Sequence, residues 1–376
     1  MQNRADTATH ARRFVKLEAP MFPPRRRSSV PLATAPLALM LLTIALTGVG
    51  STSCAAILNR DPALRWWAFK TYGADRICPE ILKASLPLRL TDTSPTVGRY
   101  FPSSCHAQVN DDAHTVSVFI EGGGYAYLPA TKRMGFTLNV AVEYGFDFNL
   151  NDDGAWVWGR YTRTLAGPDF RIIQVENKVA DLAAVFSPVG SIANVFGAQL
   201  VNQFIARGFT VVETDNNKEF ALGILPLGQH PVRPYDIDDD DEFYTFSNEI
   251  ADVYNGQIDF VGPIEVTDDD QVIDVKGVLS GASGIDLILV AKSTGDAWRT
   301  VYQNGGPITL PPGPMVGSAI VNPGPFTRRF KPKPGLYYVV IDNSMFVGQM
   351  NPQGGIPNPV IDPSVRLTYV AQITEE

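Results

Sequence analysis

The chain has 376 residues, with 31 Lys and Arg against 39 Asp and Glu, a formal charge of −8, and three cysteines. The acidic balance excludes nucleic acid as a natural partner, since binding a polyanion needs clustered cations. The roughly 320 residues from position 54 onward are enough for two ordinary domains.

The first 53 residues read as a targeting segment. Arg25, Arg26 and Arg27 precede an apolar run over residues 30–49, and Gly50, Ser51, Thr52 and Ser53 lead to Cys54. A basic start, an apolar middle and a small-residue zone are the parts of a secretory signal. The tract 37–46 followed by Ser51-Thr52-Ser53-Cys54 resembles a bacterial lipoprotein signal peptide, with Ser51 where that family usually carries Leu. The resemblance implies that Cys54 becomes a lipidated N-terminus, and two or more acyl chains are what stable membrane anchoring requires. Ala55, where Asp would retain a Gram-negative lipoprotein at the inner membrane, implies the outer membrane. Two alternatives stand beside it: cleaved soluble export, and an uncleaved span, since about 20 apolar residues can cross a bilayer. Pro31 and Pro36 make the run a poor permanent helix, and Met21 is an alternative start. Residues 1–53 hold seven basic and two acidic side chains, so the rest of the chain keeps 24 basic and 37 acidic ones, a formal charge of −13.

Residues 54–110 read as an irregular segment with short helices at 62–71 and 79–85. Cys78 and Cys105 are an even pair, and in an oxidising compartment they most simply bridge each other. Buried free thiols are the competing reading. A zinc site with His106 and His114 fits no usual ligand spacing.

Residues 111–226 read as an antiparallel sheet plus one helix. Strands are expected at 115–120 and 125–128, separated by a turn at Gly122-Gly123-Gly124. Over 136–150, Phe136, Leu138, Val140, Val142, Tyr144, Phe146, Phe148 and Leu150 take alternate positions, the period of a strand with one apolar face. Asn151-Asp152-Asp153-Gly154 is a hairpin turn, followed by strands at 155–164 and 170–177. Ser191 can cap a helix over 192–205 that Gly208 terminates, with Phe196, Leu200 and Phe204 on its apolar face. Strands at 209–214 and 220–225 follow.

Residues 227–256 read as a Pro/Gly-rich and acidic linker. Asp236, Asp238 and Asp240 in the run DIDDDDE are weak calcium candidates, because crowded carboxylates repel one another and a hard cation relieves that. From 257 to 376 the pattern is a small β-sandwich, with strands at 272–278, 285–291, 298–302, 326–330, 336–341 and 364–372.

Candidate sites are few. Val118-Phe119-Ile120-Glu121-Gly122-Gly123-Gly124 resembles the oxyanion loop of hormone-sensitive-lipase-type esterases, but Glu121 replaces its histidine. No G-x-S-x-G nucleophile elbow follows. Ser191 and Ser283 lack the flanking glycines, and His230 is the sole histidine after residue 114. The glycines are instead expected at a hairpin or bulge that needs positive φ. Trp156 and Trp158 share one strand face and can line a ligand groove or form an apolar cluster.

In outline, 115–225 is similar to tubular lipid-binding (TULIP-like) modules. That resemblance implies a channel between the apolar strand face and Phe196, Leu200 and Phe204. The stretch 334–344 (PGLYYVVIDNS) is similar to the closing strand of GOLD-like and pre-peptidase-type sandwiches, which implies protein or glycan contact. The fold class expected is mainly β: a long curved antiparallel sheet packed on one helix, then a small sandwich. The function expected is a membrane-anchored envelope lipoprotein with a binding or structural role, without catalytic activity or cofactor. The alternative is a carrier of lipid or another hydrophobic ligand, and esterase-like chemistry is a remote third.

Overall fold

The structure, a computed structural model, describes residues 54–129, 131–177, 189–214, 218–232, 237, 242–281, 284–350 and 364–375. Among them, fifteen strands form an eleven-stranded sheet and a four-stranded sheet, so the protein is mainly β. Three short helices come first: α1 (Cys54–Arg60), α2 (Pro62–Phe69, extended by a wider turn over Lys70–Ala74) and α3 (Ile77–Ile81). Asp61 caps α2 by accepting the backbone N–H groups of Ala63 and Leu64, and Pro62 takes the first helical position, where no amide hydrogen is needed.

Four long strands carry the large sheet. These are β2 (Thr96–Asn110), β3 (Thr115–Leu128), β4 (Lys132–Asn151) and β5 (Gly154–Val175), with the short β1 (Leu86–Arg89) against β2. The alternation of β4 has the expected consequence. Phe136, Leu138, Val140, Val142, Tyr144 and Phe148 are buried on one face, in a core shared with α2, α3 and helix α4 (Val189–Gln199). Each such side chain contributes roughly 1.5–3 kcal/mol through burial. The β4–β5 turn is held by Asn151, whose side-chain oxygen accepts the N–H groups of Asp153 and Gly154 at 3.0 and 3.1 Å.

Several sequence expectations are corrected here. Residues 54–110 are not irregular, since they hold α1–α3, β1 and the fifteen-residue β2. The first half of β2 is covered on both faces, so it lacks the period-two signature. Gly122, Gly123 and Gly124 make no turn, because β3 runs through them with none at positive φ. They are glycine because neighbours fill the space of a side chain. A Cβ on Gly122 would meet Tyr100, and one on Gly124 would meet the Arg99 carbonyl. The strands expected at 155–164 and 170–177 are one strand, β5.

Two short strands, β6 (Phe209–Glu213) and β7 (Lys218–Leu222), complete this edge of the sheet. At the other side, β8 (Phe243–Tyr254) lies within the expected linker but pairs with β15 (Ser364–Glu375), and touches β2 in parallel at Thr96 and Ala251. Beyond β15 come β10 (Gln271–Ser280) and β13 (Gly324–Phe330). The large sheet is therefore continuous across the boundary expected at 227–256, and the chain from residue 52 forms one compact unit.

The smaller sheet has the order β12 (Met315–Val321), β11 (Ile285–Ala291), β14 (Gly335–Asn343), β9 (Gln257–Val266). One of its faces packs on β8, β15, β10 and β13 as a sandwich, burying Val261, Leu287, Val339, Leu367 and Ile373 among others. Its opposite face packs on α5 (Lys292–Gln303) and on Phe101 and Tyr125 of the large sheet. The strand expected at 298–302 is part of α5. Trp298 and Tyr302 stand four residues apart and share the buried side of the helix with Gly295 and Arg299.

Candidate binding cleft

Because the large sheet curls, its edge strand β7 and its central strand β8 line the same cavity, a cleft of about 1110 Å³. The other walls are the stretch from Glu80 through β1, the last turn of the helix after α4, the segment 225–232, and β9. Its volume is slightly above the usual range of about 300–1,000 Å³ for small-molecule sites. Phe204, Leu222, Leu225, Tyr244 and Phe246 give it apolar surface.

The cleft reaches a buried ionic network where the two halves of the molecule meet. Arg99, on β2, is 1% exposed. Its guanidinium donates to Glu249 Oε1 and Oε2 at 3.0 and 2.8 Å, and to Asp259 Oδ1 and Oδ2 at 2.9 Å each. It also donates to the Tyr369 hydroxyl at 3.0 Å. Ser247 and Thr96 donate to Glu249 at 2.6 and 2.9 Å, and Tyr125 donates to Asp259 at 2.6 Å while accepting the Phe260 N–H at 2.7 Å. Burial opposes ionisation of Glu249, but Arg99 and the hydroxyl donors outweigh it and hold this carboxyl below its ordinary range. Burial pushes the hydroxyls of Tyr125 and Tyr369 well above theirs. One cation between two carboxylates, with hydroxyls completing the shell, is a satisfied network. It joins β2, β3, β8, β9 and β15.

Other charges on the wall are also matched. Lys83 bonds Glu80 and Glu265 at 3.3 and 2.8 Å. His230 Nδ1 lies 2.8 Å from Glu219 Oε2, with its ring edge-on to Trp156. Two arginines differ. Among the described residues, the guanidinium groups of half-buried Arg89 and exposed Arg207 have no hydrogen bond or ion pair, although both line the cleft, and the exposed carboxylate of Asp92 has none either.

No protein-family model matches the chain, and no curated protein matches it in sequence.

The sequence-predicted residues are dispersed. Cys54 is the first residue of α1. The apolar run before it lies outside the described residues, as do Asp236, Asp238, Asp240 and Ser283. Cys78 and Cys105 form a disulfide with a Cα separation of 5.2 Å, tying α3 to β2. Phe196, Leu200 and Phe204 do come together, but inside a filled core: Phe196 lies 6.1 Å from both Phe136 and Phe170, ring centre to ring centre. Trp156 and Trp158 face the opposite side of the sheet with Val212. The five residues thus line no common groove. Trp158 Nε1 donates to the Leu225 carbonyl at 2.8 Å, which fixes the start of one cleft wall.

The esterase-like stretch has no oxyanion loop, since its three glycines lie inside β3 and its Glu121 is exposed. Among the described residues no group of three or more His, Cys, Asp or Glu is placed to hold a metal ion, and no helix is long and apolar enough to cross a membrane. Arg99, Glu249 and Asp259 had no sequence signal. They sit on separate strands, 150 and 160 positions apart, within no motif.

Proposed function

We propose that this protein is an exported, lipid-anchored component of the cell envelope, facing the periplasm or cell surface from the outer membrane. Its folded body binds a ligand in the cleft without transforming it. The observation that carries the binding role is the cleft itself, a cavity of about 1110 Å³ with mixed apolar and charged walls. The address rests on the basic, apolar and small-residue order ahead of Cys54, and the Cys78–Cys105 disulfide suits an oxidising compartment. The carrier alternative, placed between sheet and helix, is disfavoured by the close packing of Phe196 on Phe136 and Phe170.

Replacement of Cys54 by Ser tests the address. The native chain should take up radiolabelled fatty acid and fractionate with membranes, and C54S should do neither. If C54S remains in the membrane fraction, the run at 30–49 is a true span and the lipoprotein reading fails.

A further inference from the structure

Nearly every buried or half-buried charge on the cleft wall already has a counter-charge. Arg99 is shared between Glu249 and Asp259, Lys83 between Glu80 and Glu265, and His230 is paired with Glu219. Arg89 and Arg207 stand apart from this pattern. Arg89 is half-buried at the end of β1 and Arg207 is exposed just past the helix, and neither guanidinium has a protein partner among the described residues; the exposed carboxylate of Asp92 lines the same cleft and has none either.

Their placement is set by the fold. In β1, Leu86 and Leu88 turn to the apolar core, which leaves Pro87 and Arg89 on the other face. Pro87 pairs directly with Arg99, so this face is the one that carries the ionic network. The Gln199 side chain accepts from the Arg89 backbone N–H at 3.0 Å and donates to its carbonyl, pinning the end of β1 to the helix. The helix then runs on through Asn202, Gln203 and Phe204 to Arg207, along the cleft. Two cations, one half-buried and one exposed, thus line one concavity in a chain that is acidic overall. A guanidinium presents a fixed fork of donors that matches carboxylate or phosphate oxygens. Beside them, Phe204, Leu222, Tyr244 and Phe246 offer apolar surface.

We infer that the cleft takes an amphipathic anion, whose carboxylate or phosphate group is held by Arg89 and Arg207 and whose apolar body lies on Phe204, Leu222, Tyr244 and Phe246. The inference rests on the cleft being the binding site, but not on the lipid anchor.

The test uses the full chain held in amphipol and titrated calorimetrically with octanoate, octyl phosphate and octan-1-ol, which share a tail and differ in head group. Both anions should bind, with the alcohol weaker by about tenfold or more, the usual scale for charge-assisted hydrogen bonds. The better of the two anions identifies the head group as carboxylate or phosphate. Acetate and inorganic phosphate, which lack the tail, should bind more weakly than their octyl counterparts. The double variant Arg89→Gln/Arg207→Gln should lose the preference for anions while its melting temperature and its affinity for octanol stay unchanged. Octanol binding as tightly as octanoate to the native chain overturns the inference even if the variant does not fold, and so does a folded variant that keeps the anion preference. If no probe binds while Cys54 is still labelled, the ligand class falls and the address stands.

Discussion

The helix-backed part of the large sheet and the sandwich bury their strands by different means. In the first, β4 presents an unbroken apolar face to α2, α3 and α4, and the added constraint is covalent, the Cys78–Cys105 disulfide. In the second, carboxylates are buried on the strand faces turned away from the sandwich core. Asp274 is fully buried and bonded to Arg329 at 2.8 Å, while Asp286 and Asp342 face each other across β11 and β14 at 1% exposure each. The Arg99 network lies on the seam. The lesson is physical. A single curved sheet can bury one face with apolar side chains alone. Strands covered on both faces, by a packed layer or by long side chains, must also satisfy polar groups that water cannot reach.

The strongest way to break this comparison is at the seam. Arg99→Met removes the cation and leaves Glu249 and Asp259 buried together, which should cost about 3–5 kcal/mol in a urea unfolding experiment. A loss of less than a quarter of that would mean the seam does not depend on charge pairing. Next in size is the disulfide. Replacing Cys78 and Cys105 by Ala opens a link spanning 27 positions and should cost about 3 kcal/mol. Native-state hydrogen exchange should place the loss in α3 and β2, and equal loosening of the sandwich would contradict the division drawn here.

The most gradual effect concerns pH, where the seam and the sandwich should respond with opposite sign. Glu249 is held below its ordinary range, so its stabilisation is complete above the unfolded carboxylate value and disappears as pH falls through the lower folded one. Asp342 is pushed up to about 7 by burial, with Asp286 adding to the effect. Its folded form holds a proton more tightly than the unfolded chain. It therefore favours folding at low pH, and that contribution is lost as pH rises from about 4 to about 7. Asp342→Asn should flatten melting temperature against pH across that window, because the amide cannot titrate. An unchanged slope would show that Asp342 ionises freely in the folded state.

How much of this was legible depends on whether a pattern was local. The β4 alternation, the Asn151-Asp152-Asp153-Gly154 turn and the apolar stripe of Phe196, Leu200 and Phe204 all follow from residues near one another in the chain, whereas the pairing of Cys78 with Cys105 follows from cysteine count alone. Period two, turn chemistry and helical spacing act over a few residues and can be read directly. β2 and α5 were missed or misassigned for the complementary reason. β2 is buried on both faces over its first half, which erases alternation, and α5 carries its helical signal on only a few residues, Trp298 and Tyr302 above all.

The sequence by itself determined the mainly β class, the amphipathic face, the pairing of Cys78 with Cys105 as an expectation the structure bears out, and the acidic balance. Only the tertiary structure decided the single continuous sheet, the seam around Arg99 and the cleft. Those arise from residues brought together by strand order and by the roll of the sheet. Glu249 and Asp259 become partners of Arg99 because β8 and β9 cross β2 there. Arg89 and Arg207 stand out as cations without a counter-charge only once the other cations lining the cleft, Lys83, Arg99 and His230, are seen with their carboxylates among the described residues.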